Sequence, residues 1–512
     1  MTFLDDLKEQ TTVGFTENGA KTYTGTLNAN LDFFAQAGAM RTRLGDVRGL
    51  FSLAYAENPE LAIRNLVHLR NIRLGGLGER DAYMEVVKYL VDGRNKNQEL
   101  LKVLMGHMAY IGRWTDLVET IRYGNKLSVH FVERDAVEVI AYQLQDDLLN
   151  YSMGKPISLL AKWLPSTSSP TGDKRNLGVK IAQHLGFVGK EGMKNYRQML
   201  AKLRDYSNVI EVRLASKEYH KIDLEKVPSK ALFRYRKALS THMPDEYEAL
   251  MEKVESGEGK LNAGLVLPHE ITGAYRRASK SQGLDRSLEA TWKSLDNVIE
   301  NAEDNAIVVA DTSASMTWEQ TNGVYPWDVA QGLALYTAER LKGAFANHFI
   351  TFATTPSLVY LNPEDTVYDR FKDYNHYAKL GGYSTNIQAV FNLILSTAIK
   401  NNTPQEELPS KIIIISDMEF NSCQSRTTNY EKAKQEFASY GYELPTVVFW
   451  NVQSRQNNVP VRFNESNVAL VSGFSPNILK TIIGADITSP EQMMLDTLNN
   501  PRYDFIIEAL KK

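Results

Sequence analysis

The sequence predicts two architectures in one chain. Residues 1–300 read as an all-helical half, residues 301–485 as an α/β domain on a parallel sheet, and residues 486–512 as a helical extension. Three observations carry this. Apolar residues recur at helical spacing, segment after segment, through the first 300 positions. From Ala306 onward, short β-branched runs alternate with helical stretches, which is the pattern of βαβ units. The charge also changes sign, with 42 Lys+Arg against 38 Asp+Glu in residues 1–300 and 16 against 23 in residues 301–512.

In the first half, Pro59 stands at a first helical position, and Ala62, Ile63, Leu66, Val67 and Leu69 follow near helical spacing until Gly75-Gly76. Tyr83, Val86, Val87 and Leu90 then mark one helical face that ends at Gly93. Similar faces recur around Leu100–Met108, Trp114–Ile121, Ala136–Leu149, Asn176–Leu185 and Tyr196–Leu203. Modest helices joined by short Gly-containing turns predict stacked helical pairs, an α-solenoid of the HEAT kind able to close into a ring. No fixed sequence period accompanies them.

In the second half, Ala306–Ala310, His348–Phe352, Lys411–Ile415, Pro445–Trp450 and Val468–Val471 are short apolar runs, typical of buried parallel strands. Helices are expected over Pro326–Lys342, Asn386–Ile399 and Tyr430–Tyr440, and from Pro476 onward. Gly283–Asp304 is the expected linker.

Composition narrows the class. A hydrophobic fraction of 43% and a charged fraction of 23% describe a globular chain. The one cysteine, Cys423, excludes an internal disulfide and a cysteine zinc cluster, and fits a reducing compartment. The N-terminal residues show no leader pattern, and no apolar run approaches the roughly 18 residues of a membrane span. A cytoplasmic protein with no membrane partner is expected. The compact length, without low-complexity insertions, suits a bacterial or phage member.

In open α/β sheets, ligands bind outside the carboxyl ends of the strands. The first strand ends in Asp311-Thr312-Ser313-Ala314-Ser315, which offers one carboxylate and two hydroxyls on a tight turn. The third ends in Ser416-Asp417, and Gly381-Gly382-Tyr383-Ser384-Thr385 delivers a hydroxyl just before a helix. Hard oxygen ligands, few in number and with room for water, suit octahedral Mg2+ or Mn2+. The plainer alternative is an aspartate that only caps a helix. Cys423 follows the Asp417 strand end closely enough to reach this edge, but nothing marks a base beside it.

This arrangement resembles the von Willebrand A domain and its metal-ion-dependent adhesion site. On that resemblance Asp311, Ser313, Ser315, Thr385 and Asp417 are the five metal-site positions. Many such domains carry Asp after the Thr, whereas this chain has Asn386, one negative charge fewer. Ile415–Phe420, Val447–Asn451 and Val468–Ser475 also look like segments of a family that joins a helical N-terminal region to such a domain. In the helical half, Gly78-Glu79-Arg80-Asp81, Gly112–Leu117, Val227–Ala231 and Asn262-Ala263-Gly264 look like segments of the same family. Its architecture is similar to that of the Ro autoantigen proteins, in which a ring of HEAT-like repeats, the TROVE module, is closed by a von Willebrand A domain. That similarity implies binding of small structured or misfolded RNA.

The helical half carries a matching feature of its own. Lys190–Ser240 holds 13 Lys/Arg against 6 Asp/Glu. Lys217, Lys221, Lys226, Lys230, Arg234, Arg236 and Lys237 crowd together with Tyr219, Phe233 and Tyr235 among them, a composition suited to phosphates and stacked bases. The plainer alternative is a solvated face whose charges are met by neighbouring acids. No phosphate-binding P-loop, H-E-x-x-H or G-x-S-x-G motif occurs. The expectation is a non-enzymatic, Ro-like RNA-binding protein whose metal site either docks a partner, taking its carboxylate, or serves the ring's own closure. The alternative is a metal-dependent protein-interaction adaptor that binds no RNA.

Overall fold

The computed structural model describes residues 11–278, 283–301, 303–318, 323–423 and 427–511, so the stretch read for a leader lies outside the described residues. Two compact units are present. One gathers Met1–Arg70, Gly75–Ala82 and Ala263–Tyr503; the other gathers Asn71–Leu74, Tyr83–Asn262 and Asp504–Lys512.

The first unit contains every strand among the described residues. β1 (Val13–Phe15) and β2 (Lys21–Tyr23) form an antiparallel ribbon. The main sheet is built from β3 (Ala306–Asp311), β4 (His348–Phe352), β5 (Ser357–Tyr360), β6 (Lys411–Ser416), β7 (Thr446–Asn451) and β8 (Val468–Ser472). Their order is β5-β4-β3-β6-β7-β8. Every neighbouring pair is parallel except β4 with β5. β3, β6 and β8 are buried along their whole length, which is why they read as unbroken apolar runs.

The five expected strands are all present. β5 and the ribbon were not expected, nor was the helix Val367–Leu380. β5 is a four-residue edge strand with Leu358 and Tyr360 exposed, too short and too open to stand out by periodicity. The helix buries Val367, Arg370, Tyr374 and Ala378, a narrow stripe among polar and aromatic residues that hides its period.

The sequence reading cuts the chain at residues 300 and 485, and the compact units cut it elsewhere. The reason is close backbone packing at two glycines. The helix Pro268–Arg277 lies on the helix Pro326–Arg340, where a Cβ at Gly332 would sit 2.6 Å from the His269 nitrogen. Arg276 adds a forked ion pair to the buried Asp328, at 2.6 and 2.8 Å. Just past the helix Ala29–Gln36, a Cβ at Gly38 would come within 2.7 Å of the Ser472 carbonyl oxygen on β8.

The second unit is helical. Its longer members are Gln98–Ile111, Trp114–Lys126, His130–Ser152, Gly172–His184, Gly189–Tyr206, Ser229–His242 and Pro244–Glu255. The C-terminal helix Asp504–Leu510 rests on Gln98–Ile111, with the Phe505 ring 5.1 Å from His107 and 5.3 Å from Tyr110. Ile506 is buried there and Leu510 is half-buried. No helix among the described residues is long and apolar enough to cross a membrane.

These glycines give a direct check. Gly332→Ala and Gly38→Ala push a methyl against backbone and should each destabilise the protein by about 1–3 kcal/mol, as overpacking does. Gly49→Ala in the exposed part of the helix Leu44–Glu57 meets nothing within 4 Å and should stabilise by about 0.5–1 kcal/mol. Urea unfolding of the three variants tests the contrast, and equal effects would contradict the packing account.

Candidate metal centre

β3 delivers Asp311 fully buried at its carboxyl end. The chain leaves the sheet at Thr312, whose N–H donates to the Phe352 carbonyl at 3.0 Å, and turns through Ala314–Thr317. The turn folds back on its own aspartate, with the Ser313 N–H donating to Asp311 Oδ1 at 2.9 Å. The Ser313 and Ser315 hydroxyls end up 3.0 Å apart.

β6 delivers Ser416 and then Asp417 beside this turn. The Ser416 hydroxyl donates to Asp311 Oδ2 at 2.5 Å. The Met418 N–H donates to Ser416 Oγ at 3.1 Å, and the Glu419 N–H to Asp417 Oδ1 at 3.2 Å. These bonds need a tight reversal, which the chain makes through a left-handed Met418 at φ +66°.

The third contribution is the Gly381–Thr385 loop. Gly382 has φ +87°, and a Cβ there would lie 2.5 Å from the Thr354 hydroxyl, so the turn requires glycine. The Tyr383 carbonyl accepts the Ala314 N–H at 3.2 Å, which ties this loop to the Asp311 turn. Asn421 fixes Thr385 from the other side: its N–H donates to the Thr385 carbonyl at 2.8 Å, and its Oδ1 accepts the Thr385 N–H at 3.3 Å. Asn386 is the N-cap of the helix Ile387–Asn401, its Oδ1 accepting the Ala389 N–H at 3.2 Å.

Asp311, Ser313, Ser315, Thr385 and Asp417 are therefore brought to one edge of the sheet, each no more than 9% exposed. Burial pushes the Asp311 carboxyl up to about 7, and the Asp417 charge pushes the same way; the hydrogen bonds from Ser416 and Ser313 oppose both. Asp417 is also raised by burial, while the nearby Ser315 hydroxyl, the Glu419 N–H and the Arg455 charge pull it down. Even so, Asp417 Oδ2 is buried with no partner in hydrogen-bond geometry. Among the described residues no group of three or more His, Cys, Asp or Glu converges as a metal cage. Two carboxylates with three hydroxyls fit a hydrated hard cation instead. The Trp318 and Tyr383 side chains on these loops are 66% and 77% exposed.

Sequence reasoning missed the residues that hold this edge together. Ser416 and Glu419 lie in the same strand-end string as Asp417 and were readable there. The ribbon gave no signal. Its turn is fastened by Glu419, whose Oε2 accepts the Glu17 N–H at 2.7 Å and whose carbonyl accepts Asn18 Nδ2 at 2.6 Å. Thr16 Oγ1 donates to the Phe420 carbonyl at 2.6 Å, and Arg455 pairs with Glu17 at 2.9 Å. Burial pushes Glu419 up to about 7. Cys423 is buried, so it presents no open thiol at the edge.

The basic residues belong to the helical unit. Lys217 is left-handed and closes the helix Ile210–Ser216. Lys221 pairs with Glu218 and Lys226 with Asp223, each at 2.7 Å. The Arg236 guanidinium lies 4.8 Å over the Phe233 ring, and Tyr219 stacks on His242 at 4.6 Å. Lys230, Arg234 and Lys237 fall at i, i+4 and i+7 on the helix Ser229–His242, with Arg234 and Lys237 exposed.

Comparison with known proteins adds three likenesses. A family model described as Domain of unknown function (DUF2828) matches residues 16–95 and 131–307, just over half of the chain. A second, Domain of unknown function (DUF7788), matches residues 305–503, the segment that holds the main sheet. The chain is also similar to "Uncharacterized protein L728" of Acanthamoeba polyphaga mimivirus, 29% identical over 518 residues covering 95% of this chain and 87% of the viral protein.

The buried carboxyls predict a pH dependence. Asp311 has a folded pKa of about 7 against an ordinary value of 3.8. Between those values the folded chain holds a proton that the unfolded chain releases, so without divalent cations this group lowers stability as pH rises from about 4 to about 7. Buried His68, lowered to about 3 from 6.5, acts oppositely below its ordinary value. The readout is therefore the difference between wild type and Asp311→Asn in chelator-treated protein. Wild type should lose melting temperature relative to the variant as pH rises through that window. A constant difference would refute the assignment.

Proposed function

The chain belongs to the family described as Domain of unknown function (DUF2828), and on that premise we propose that it is a non-enzymatic, cytoplasmic binding protein with a cation-dependent docking site. Asp417, Ser313 and Ser315 would hold Mg2+ or Mn2+, with Thr385 and Asp311 completing the set directly or through water. When bound, the ion supplies an open coordination position that takes a partner's carboxylate. The observation that carries this reading is Asp417 Oδ2, a buried carboxylate oxygen without a hydrogen-bond partner beside a second buried carboxylate and two hydroxyls. The likeness of the motif to the metal-ion-dependent adhesion site of von Willebrand A domains supports it. Calorimetric titration of Mg2+ into the full chain tests it. Wild type should bind, and Asp417→Asn and Asp311→Ala should abolish binding while circular dichroism stays unchanged. Undiminished affinity in the folded variants would sink the reading.

RNA binding by the helical unit is the second reading. It is favoured by the face of Lys230, Arg234 and Lys237 and by the likeness to the TROVE/HEAT-like solenoid ring of Ro autoantigen proteins. The ligand class is small structured or misfolded RNA. Charge reversal of these three residues together should weaken binding and flatten its salt dependence by about 0.7 in log–log slope per lost contact with a single strand. Filter binding at several salt concentrations decides it. Wild type that binds no RNA leaves the adaptor reading, with a protein partner, in its place.

A further inference from the structure

Both oxygens of the Asp311 carboxylate are already held by the protein. Oδ1 accepts the Ser313 N–H at 2.9 Å, and Oδ2 accepts the Ser416 hydroxyl at 2.5 Å. The first bond comes from the aspartate's own turn, two residues on. The second crosses from the neighbouring strand, 105 residues away, and it is the one that ties the two aspartate-bearing strand ends together.

Ser416 is well placed for this. It is fully buried at the last position of β6, paired across to Asn451 of β7, and its carbonyl accepts the Val452 N–H at 3.0 Å. Its hydroxyl also accepts the Met418 N–H at 3.1 Å, which directs the hydroxyl hydrogen toward Asp311. The chain reaches that arrangement only through the left-handed Met418, a conformation that costs free energy at a non-glycine residue. A turn that merely ended a strand would not need it. The consequence is a carboxylate locked in one orientation, next to an Asp417 whose Oδ2 has no hydrogen-bond partner.

The geometry points to Ser416 as a positioning residue of the metal centre, its hydroxyl fixing the Asp311 carboxylate in the orientation from which it and Asp417 share a divalent cation. This rests on the cation-binding reading above and names a residue outside the five-member motif. Groups that orient metal ligands typically change affinity about 10–100-fold when removed.

The test is Mg2+ titration of the full chain with three substitutions at Ser416, each with a melting curve in chelator and in Mg2+. Ser416→Ala should weaken Mg2+ affinity by about 10-fold or more, and the melting-temperature gain on adding Mg2+ should shrink with it. Ser416→Cys keeps the shape but is a weak donor, so it should behave like Ala. Ser416→Thr keeps the hydroxyl and should recover most of the affinity. A Cys variant that binds Mg2+ like wild type would show that the position only fills space, and would overturn the inference. So would a folded Ala variant with unchanged affinity. If Asp417→Asn abolishes binding while the Ser416 variants retain it, the metal site stands and only the role of Ser416 falls. If wild type binds no Mg2+, both fall together.

Discussion

Two carboxylates, Asp311 and Asp417, stand at adjacent strand ends inside a sheet whose neighbouring strands are almost wholly apolar. Burial favours the protonated form of both, and the Asp417 charge adds to this at Asp311. Everything around them bears on that strain. Ser313 and Ser416 give hydrogen bonds to Asp311, Glu419 gives its N–H to Asp417, and Arg455 contributes a favourable field. Two backbone residues sit in left-handed conformations, Met418 and Gly382, and each is needed to bring a donor or a loop to the pair. At Met418, a non-glycine residue, this is strain that persists only where the surroundings over-determine it. A fold that needed only to close its sheet could end both strands in apolar or neutral residues.

The same constraint explains why the sheet unit takes in sequence from far outside the α/β segment. The loop after β6 runs from Asp417 to Asn421, and its far end is an exchange of hydrogen bonds with Thr385. Glu419 and Phe420, in the middle, are fastened to the turn of the N-terminal ribbon by bonds spanning about four hundred residues. Asn458 Nδ2 donates to Glu419 Oε1 at 2.9 Å, which satisfies the other carboxylate oxygen. The ribbon thus braces the loop that carries one metal candidate and positions another.

The legible part of the fold was the part dictated by burial on both faces. β3, β6, β7 and β8 read as apolar runs because parallel strands covered on both sides have no polar face to alternate with. The strand ends then located Asp311 and Asp417 without further information, and the Gly-Gly turn located Thr385. What was illegible depends on pairing rather than on composition. β5 borrows its place from β4, and the ribbon from Glu419 and Val459. The boundary of the compact units depends on Gly38 and Gly332, whose meaning lies in what faces them and not in their neighbours along the chain. Ser416 was visible as a residue type, but its role required knowing that β3 and β6 are adjacent.

The two charge clusters show why motif and composition carry different weight. Asp311 and Asp417 are buried, so their charges cannot be met by solvent and must be met by something specific. Lysines in the 217–237 segment are largely exposed, where water and salt screen them. Lys221 and Lys226 meet Glu218 and Asp223, each three residues away, through pairs that count for little individually. Their spacing was in the sequence, and it shows that an excess counted over fifty residues overstates the field that a polyanion would meet. Lys230, Arg234 and Lys237 share one helix face, with Arg234 and Lys237 exposed, and a ligand that needs few phosphates could still read that face. The buried pair has no comparable escape: absent a cation, the folded chain must keep a proton there or bear the repulsion.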